Sequence, residues 1–316
     1  MKILILTSMI FLFSCQNMAV ERNPNSFSFE FDPSRSCADI DIVLEDLNTH
    51  SDYKYDKNEL STWLESRGAT KAIALVAHGL NLKPSKMNAL AKVLTSNGTE
   101  VLRVSLAGHR GSKKEGLFTT HQTWRNEFQA HYCLAKKRAQ SLNVPLYFLG
   151  FSLGALAGVD FLNTQVSHLV EKMVLISPAT DVHWYSKIPG NLGWIGGRIS
   201  LPSKNIKAYR SQPSTSLASY RAMKESQESL DEISLSSLNI PTMIFVDPDD
   251  ELVSLKKINK RINKQRLDNW KTKSINNSGS TLKKTYHHLV VDKASMGSHQ
   301  WEIVKKNIID HFNLKE

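Results

Sequence analysis

The sequence predicts an α/β fold: a mainly parallel β-sheet with helices on both faces, in one domain that carries an insertion. Three observations predict it. Short apolar runs alternate with longer amphipathic stretches along most of the chain. Runs such as Met173-Val174-Leu175-Ile176 and Met243-Ile244-Phe245-Val246 are apolar at every position, as strands covered on both faces are. A third run, Leu146-Tyr147-Phe148-Leu149, leads straight into Gly150-Phe151-Ser152-Leu153-Gly154 and then into the small residues Ala155-Leu156-Ala157-Gly158, which reads as strand, tight turn and helix.

With 316 residues, 41% hydrophobic and 22% charged, the chain can bury a sizeable core without metal or disulfide staples, so global disorder is excluded. The net charge of +10 does not by itself select a partner. Three cysteines, Cys15, Cys37 and Cys133, are too few for a disulfide scaffold and form no Cys-x-x-Cys pair.

The elements follow in order. Behind Lys2, the apolar stretch Ile3 to Phe13 is shorter than the about 20 residues a spanning helix needs, so residues 1–14 are expected to be a signal peptide. The stretch ends Ser14-Cys15, which resembles the bacterial lipobox; this makes Cys15 the expected lipid attachment point, with plain cleavage as the alternative. Gln16 behind the cysteine resembles lipoproteins passed on to the outer membrane, so the expected location is the cell envelope, on the periplasmic side of that membrane. Residues 15–50 are read as a tether and N-terminal segment, and 51–316 as the folded domain. In an exported protein Cys37 and Cys133 can pair or remain two buried thiols.

Within the domain, Ala72 to Val76 is a buried strand, and Met87, Leu90, Ala91 and Leu94 mark one face of a helix that begins after Pro84-Ser85 and stops at Asn97-Gly98. Val101 to Leu106 is the next strand, about Trp124 to Gln140 a long helix, and Ala155 to Leu162 the helix after the turn. Residues from about 182 to 237, rich in Trp, Gly and Ser and without a clean strand, are expected to be a cap inserted between two core strands. A helix from about Leu255 to Leu267, a strand around Trp270 to Ile275, and a closing helix with Trp301, Val304, Ile308 and Phe312 on one face complete the chain.

A serine held on a strained strand-to-helix turn, with glycines letting neighbouring backbone approach, is the arrangement a nucleophile needs, and Ser152 is the candidate. A serine needs a base and the base an orienting acid; on such a scaffold these follow in the order Ser, acid, His. The acid is expected just past the next-to-last core strand, where Asp247, Asp249 and Asp250 lie, with Asp181 as an outside candidate. The base is expected before the closing helix, where His287 and His288 are adjacent; His299 is assigned to the start of that helix. The developing oxyanion needs preorganised amides, for which Leu153, after the nucleophile, and Leu80, in the loop Ala77-His78-Gly79-Leu80, are the candidates, with His78 holding the loop.

These segments resemble the α/β-hydrolase superfamily, in particular its monoglyceride-lipase-like and bacterial carboxylesterase branch, over about Lys71 to Phe312. Asp250-Glu251-Leu252-Val253 resembles the acid-x-x-Val signature of serine hydrolases and points to Asp250 as the acid. His287, with Leu289 two and Asp292 five positions on, is similar to the His-x-Leu pattern of monoglyceride-lipase-like enzymes, so the resemblance favours His287 over His288 as the base. Leu106-Ala107-Gly108-His109-Arg110-Gly111-Ser112 resembles their Gly-His-Gly-x-Ser loop, with Arg110 displacing the second glycine. The resemblance implies a mostly parallel eight-stranded sheet with a helical cap, and ester hydrolysis through an acyl-enzyme without a cofactor. Expected substrates are monoacylglycerols, lysophospholipids or short-chain esters; a thioesterase, peptidase or acyltransferase would use the same residues, and a non-catalytic envelope protein would keep only the fold.

Other signals are read as surface. Lys256, Lys257, Lys260, Arg261, Lys264 and Arg266 share a stretch with Leu255, Ile258 and Ile262, so they are expected to form the solvated side of one helix rather than a nucleic-acid site. The histidines lack metal-ligand spacing, so no metal is expected.

Overall fold

The structure, a computed structural model, describes residues 36–49, 52–165, 167–168, 170–192, 198–283 and 286–314. The expected signal peptide, Cys15 and Trp194 lie outside the described residues.

The described residues form nine strands and ten α-helices. The strands are β1 (Thr62–Leu64), β2 (Ala72–Ala77), β3 (Thr99–Val104), β4 (Leu146–Phe151), β5 (Val170–Ile176), β6 (Ser200–Pro202), β7 (Ser214–Ser216), β8 (Thr242–Val246) and β9 (Trp270–Ser274). The helices are α1 (Leu44–Asn48), α2 (Asn88–Thr95), α3 (Lys113–Gly116), α4 (His121–Leu142), α5 (Leu153–Asn163), α6 (Ile188–Asn191), α7 (Leu217–Glu232), α8 (Leu255–Gln265), α9 (Lys293–Met296) and α10 (Ser298–His311).

Seven strands form one sheet in the order β1-β3-β2-β4-β5-β8-β9, parallel except for β1, which runs antiparallel to β3 at the edge. The continuous apolar runs are explained by its two cores. Ile73, Leu75, Phe148, Leu175 and Ile244 face Trp124, Phe128 and Tyr132 of α4 and Leu156 of α5. Ala74, Val76, Leu149, Val174 and Phe245 alternate onto the other face, against Leu90 and Leu94 of α2 and Trp301, Val304 and Ile308 of α10.

Two expectations are corrected. Among the described residues the sheet has seven strands, not eight: the segment 37–48, ahead of β1, packs on α4 instead of adding to the sheet edge. Part of the expected tether is therefore folded. Cys37 is bonded to Cys133 of α4, Lys137 donates to the carbonyl of Ile40 at 2.7 Å, and Ile40 and Leu47 are buried.

The insertion over the carboxyl ends of the strands is not purely helical. It contains α6 and α7 but also an antiparallel ribbon, β6 with β7. Helix α7 is pinned to the body through Asp160 of α5, whose buried carboxylate accepts from Ser226 at 3.0 Å and from both Nε and Nη2 of Arg125, while Arg125 also reaches Ser229. The basic run lies on α8, where Ile258 is buried and Arg261 pairs with Asp181 and Asp231. Among the described residues no helix is long and apolar enough to cross a membrane.

Candidate active site

Ser152, Asp250, His287 and His288 sit in turns and loops at the carboxyl edge of the sheet, where parallel strands deliver their ligands and nucleophiles. Ser152 follows β4 with φ 51° and ψ −114°, a conformation costly for a residue with a Cβ and held only because its surroundings over-determine it. Its N–H donates to the Ile176 carbonyl at 2.9 Å and its own carbonyl accepts from Ala179 at 3.1 Å. The flanking glycines are required by approach: a Cβ on Gly154 would lie 2.5 Å from the His78 carbonyl oxygen, and one on Gly150 would lie 2.5 Å from Ala155 Cα. The helix start is thereby pressed against the end of β2.

The base is His288. Its Nε2 is 2.8 Å from Ser152 Oγ, and its Nδ1 lies 2.9 and 3.0 Å from the two oxygens of Asp250. With Nδ1–H donating to the carboxylate, Nε2 is left as the acceptor of the serine proton. Burial alone would raise the Asp250 carboxyl, but His288 and the donating amides of Val253 and Leu252 outweigh it and hold the group below the usual carboxylate range.

His287, the residue favoured by the family pattern, turns the other way. Its Nδ1 is 3.1 Å from the buried carboxylate of Asp247, which also accepts from the amides of Asn277 and Asp249. This hydrogen bond is the main reason the His287 ring holds its proton to higher pH than usual; burial opposes it, and the charges of Asp247, Glu251 and Asp249 add to it. The pattern that pointed to His287 rests on residues with other duties: Leu289 is buried in the core, and Asp292 caps α9 and accepts from Tyr209. Of the other acid candidates, Asp249 is exposed and Asp181 pairs with Arg261. His299 is exposed in the first turn of α10.

Glu251, which the sequence reading passed over, fixes the base loop. Its two carboxylate oxygens accept the amides of His287 at 3.0 Å and His288 at 2.8 Å. The only signal for it was its place beside the acid.

The proposed oxyanion donors stand beside the nucleophile. Leu153 opens α5, so its amide has no partner within the helix, and the amides of Leu80 and Leu153 donate to no acceptor among the described residues. A Cβ on Gly79 would fall 3.1 Å from Ser152 Cβ, which places the loop after β2 directly over the serine. Two buried histidines set that loop. His78 accepts the Leu106 amide at Nε2 and donates from Nδ1 to the Gly79 carbonyl; His109 accepts the Asn81 amide at Nε2 and bonds the Leu106 and Ala107 carbonyls through Nδ1. Burial pushes His78 well below its ordinary range and His109 down to about 4, so both are neutral tethers.

Arg110 completes the support. It is buried, bonds Glu115, Glu127 and the Ser105 carbonyl at 2.7 Å each, and the same two carboxylates accept the amides of Gly108 and Ala107. The residue that departs from the family's loop pattern thus organises that loop from within.

Asp247, Asp249 and His287 place carboxylate and imidazole atoms within 4.8 Å of one another. Asp247 already accepts from His287 and two amides, so this cluster is accounted for by internal hydrogen bonds.

Comparison with known proteins agrees with this architecture. A family model described as serine aminopeptidase, S33, matches residues 68–223. A soluble variant of monoglyceride lipase from Saccharomyces cerevisiae, solved with a substrate analog, is similar at a TM-score of 0.65 and 14% identity, covering 80% of this chain and 91% of that one. One of two metagenome-derived lipolytic enzymes gives 0.64 and 15% identity over 83% of this chain and all of that one, and the monoacylglycerol lipase of Paleococcus ferrophilus gives 0.58 and 15% over 79% and 99%. No curated protein matches by sequence.

Proposed function

From a chain with the α/β-hydrolase fold, we propose a serine hydrolase that cleaves carboxylic esters, with monoacylglycerols, lysophospholipids or short-chain esters as the substrate class. The observation that carries the reading is the relay Ser152 Oγ to His288 Nε2 to Asp250, with both bonds at hydrogen-bonding distance. Ser152 attacks the acyl carbonyl while His288 takes its proton; the carbonyl oxygen, now negative, is held by the Leu80 and Leu153 amides. His288 then returns the proton to the departing alcohol, and a water deprotonated by the same ring releases the acid from Ser152. Asp250 keeps the imidazole in the required tautomer throughout. A fluorophosphonate probe tests the reading: labelling of the wild type and none of Ser152→Ala is expected, and no Ser152-dependent label overturns it.

The family description raises peptide cleavage as a second reading, because the same relay serves amides. An aminopeptidase must hold a substrate ammonium, and the cavity beside Leu80 has Lys113 and Arg198 in its lining and no carboxylate. Hydrolysis of aminoacyl p-nitroanilides at a rate matching butyrate esters would favour it.

We further propose that the chain works in the bacterial envelope, tethered through a lipid on Cys15. The Cys37–Cys133 bond supports an oxidising compartment. Palmitate labelling of the wild type but not of Cys15→Ala is the test.

A further inference from the structure

The cavity that begins at the oxyanion loop is small and carries two cationic side chains in its lining. It encloses about 240 Å³, below the roughly 300–1,000 Å³ of pockets that swallow a drug-sized ligand and space for about eight water-sized groups. A long acyl chain does not fit there. Leu80, whose amide is the proposed oxyanion donor, forms one wall, and Gln212, Thr215 and Ser219 of the cap line another.

The cavity also offers donors in search of an acceptor. Lys113 and Arg198 stand in the lining, both at its exposed rim and neither in an ion pair among the described residues; Arg198 lies over the Phe118 ring, and no Asp or Glu lines the space. Two cations with no counter-charge among the described residues set the sign of an occupant as negative.

The cavity is tied to the oxyanion loop through Leu80 and Asn81. Asn81, next to Leu80, donates from its side chain to the Gln212 carbonyl and Thr215 hydroxyl, and Ser211 donates to the His109 carbonyl. Whatever fills the cavity therefore bears on the loop that carries one oxyanion amide.

We propose that this cavity is a subsite for a compact oxyanion, phosphate or carboxylate, carried on a short arm of the ester next to the scissile carbonyl, with Lys113 and Arg198 as its specificity-determining residues. This rests on the ester-hydrolase reading and narrows its substrate class to anionic esters.

Two matched pairs separate the sources of the anion: 1-butyrylglycerol 3-phosphate against 1-monobutyrin, and ethyl hydrogen succinate against ethyl pentanoate. The expected result is that kcat/KM for at least one anionic ester exceeds its neutral partner by about tenfold, and that Lys113→Gln with Arg198→Gln removes most of that ratio, as added salt also does. A neutral ester turned over as well as its anionic partner in both pairs, or a preference unchanged in the double variant, overturns the proposal. Titration calorimetry on Ser152→Ala with glycerol 3-phosphate and with succinate tests the subsite without turnover. Binding of either, weakened about tenfold by Arg198→Gln, is expected, and binding of neither overturns the subsite. Binding without fluorophosphonate labelling of the wild type would leave the subsite standing and remove the hydrolase reading, and labelling without binding would do the reverse.

Discussion

The adjacent histidines give the sharpest test, because the two rings are chemically alike and the structure assigns them different partners. In His288→Ala, Ser152 Oγ loses the imidazole at 2.8 Å, and no other basic side chain bonds it among the described residues. Removing the base of such a relay costs about 10⁴–10⁶ in kcat, the residual rate coming from the oxyanion donors and binding. In His287→Ala, Asp247 keeps the amides of Asn277 and Asp249, and Glu251 keeps the backbone amide of residue 287, so one hydrogen bond is lost. The His287 side chain is 29% exposed, which limits the loss to about 1 kcal/mol of stability and leaves activity within about tenfold. Initial rates on p-nitrophenyl butyrate, paired with urea melts, measure both. The reasoning fails if His287→Ala loses more than a thousandfold while His288→Ala retains a tenth of the wild-type rate.

Other consequences can be read with the same two assays. Glu251→Ala frees the amides of His287 and His288, so kcat should fall about 10- to 100-fold with partial rescue in Glu251→Gln; a kcat equal to wild type in both would show that the clamp does not position the base. Gly154→Ala drives a methyl into the His78 carbonyl at 2.5 Å and should cost about 1–3 kcal/mol or more together with activity, whereas a variant that melts like wild type would contradict the packing of the turn. Cys133→Ser opens a bond that spans 96 residues, for which chain entropy gives about 4.7 kcal/mol as an upper figure; melts with and without reductant should separate in the wild type and coincide in the variant. Because the His287 pKa is raised in the folded protein, its contribution to stability is complete below about 6.5 and is lost as pH rises through the folded value. Stability should therefore fall less over that window in His287→Gln, and identical pH profiles would show that the pair contributes nothing.

The elements that the sequence revealed are those whose cause is local. Continuous apolar runs marked β2, β4, β5 and β8 because both faces of a parallel sheet are buried, and the i, i+3, i+4, i+7 spacing marked α2 for the same reason of periodic burial. Ser152 was legible because its turn must be flanked by glycine within five residues. What was illegible depends on partners far apart in the chain. Strand β1, three half-buried residues, is defined by its pairing with β3, and the β6–β7 ribbon by docking on distant loops, Thr215 on Asn81 134 residues away and Ser216 on Gly116 100 residues away. The histidine choice belongs to this second class: nothing within the loop distinguishes positions 287 and 288. The distinction is made by which carboxylate each ring meets, Asp247 or Asp250, and by Glu251 holding both amides, 36 and 37 residues away. A family spacing can name the loop that carries a base, but the ring that faces the serine is chosen by the acids packed beneath it. An alternative base in such a loop should therefore be argued from its carboxylate partners before its sequence pattern.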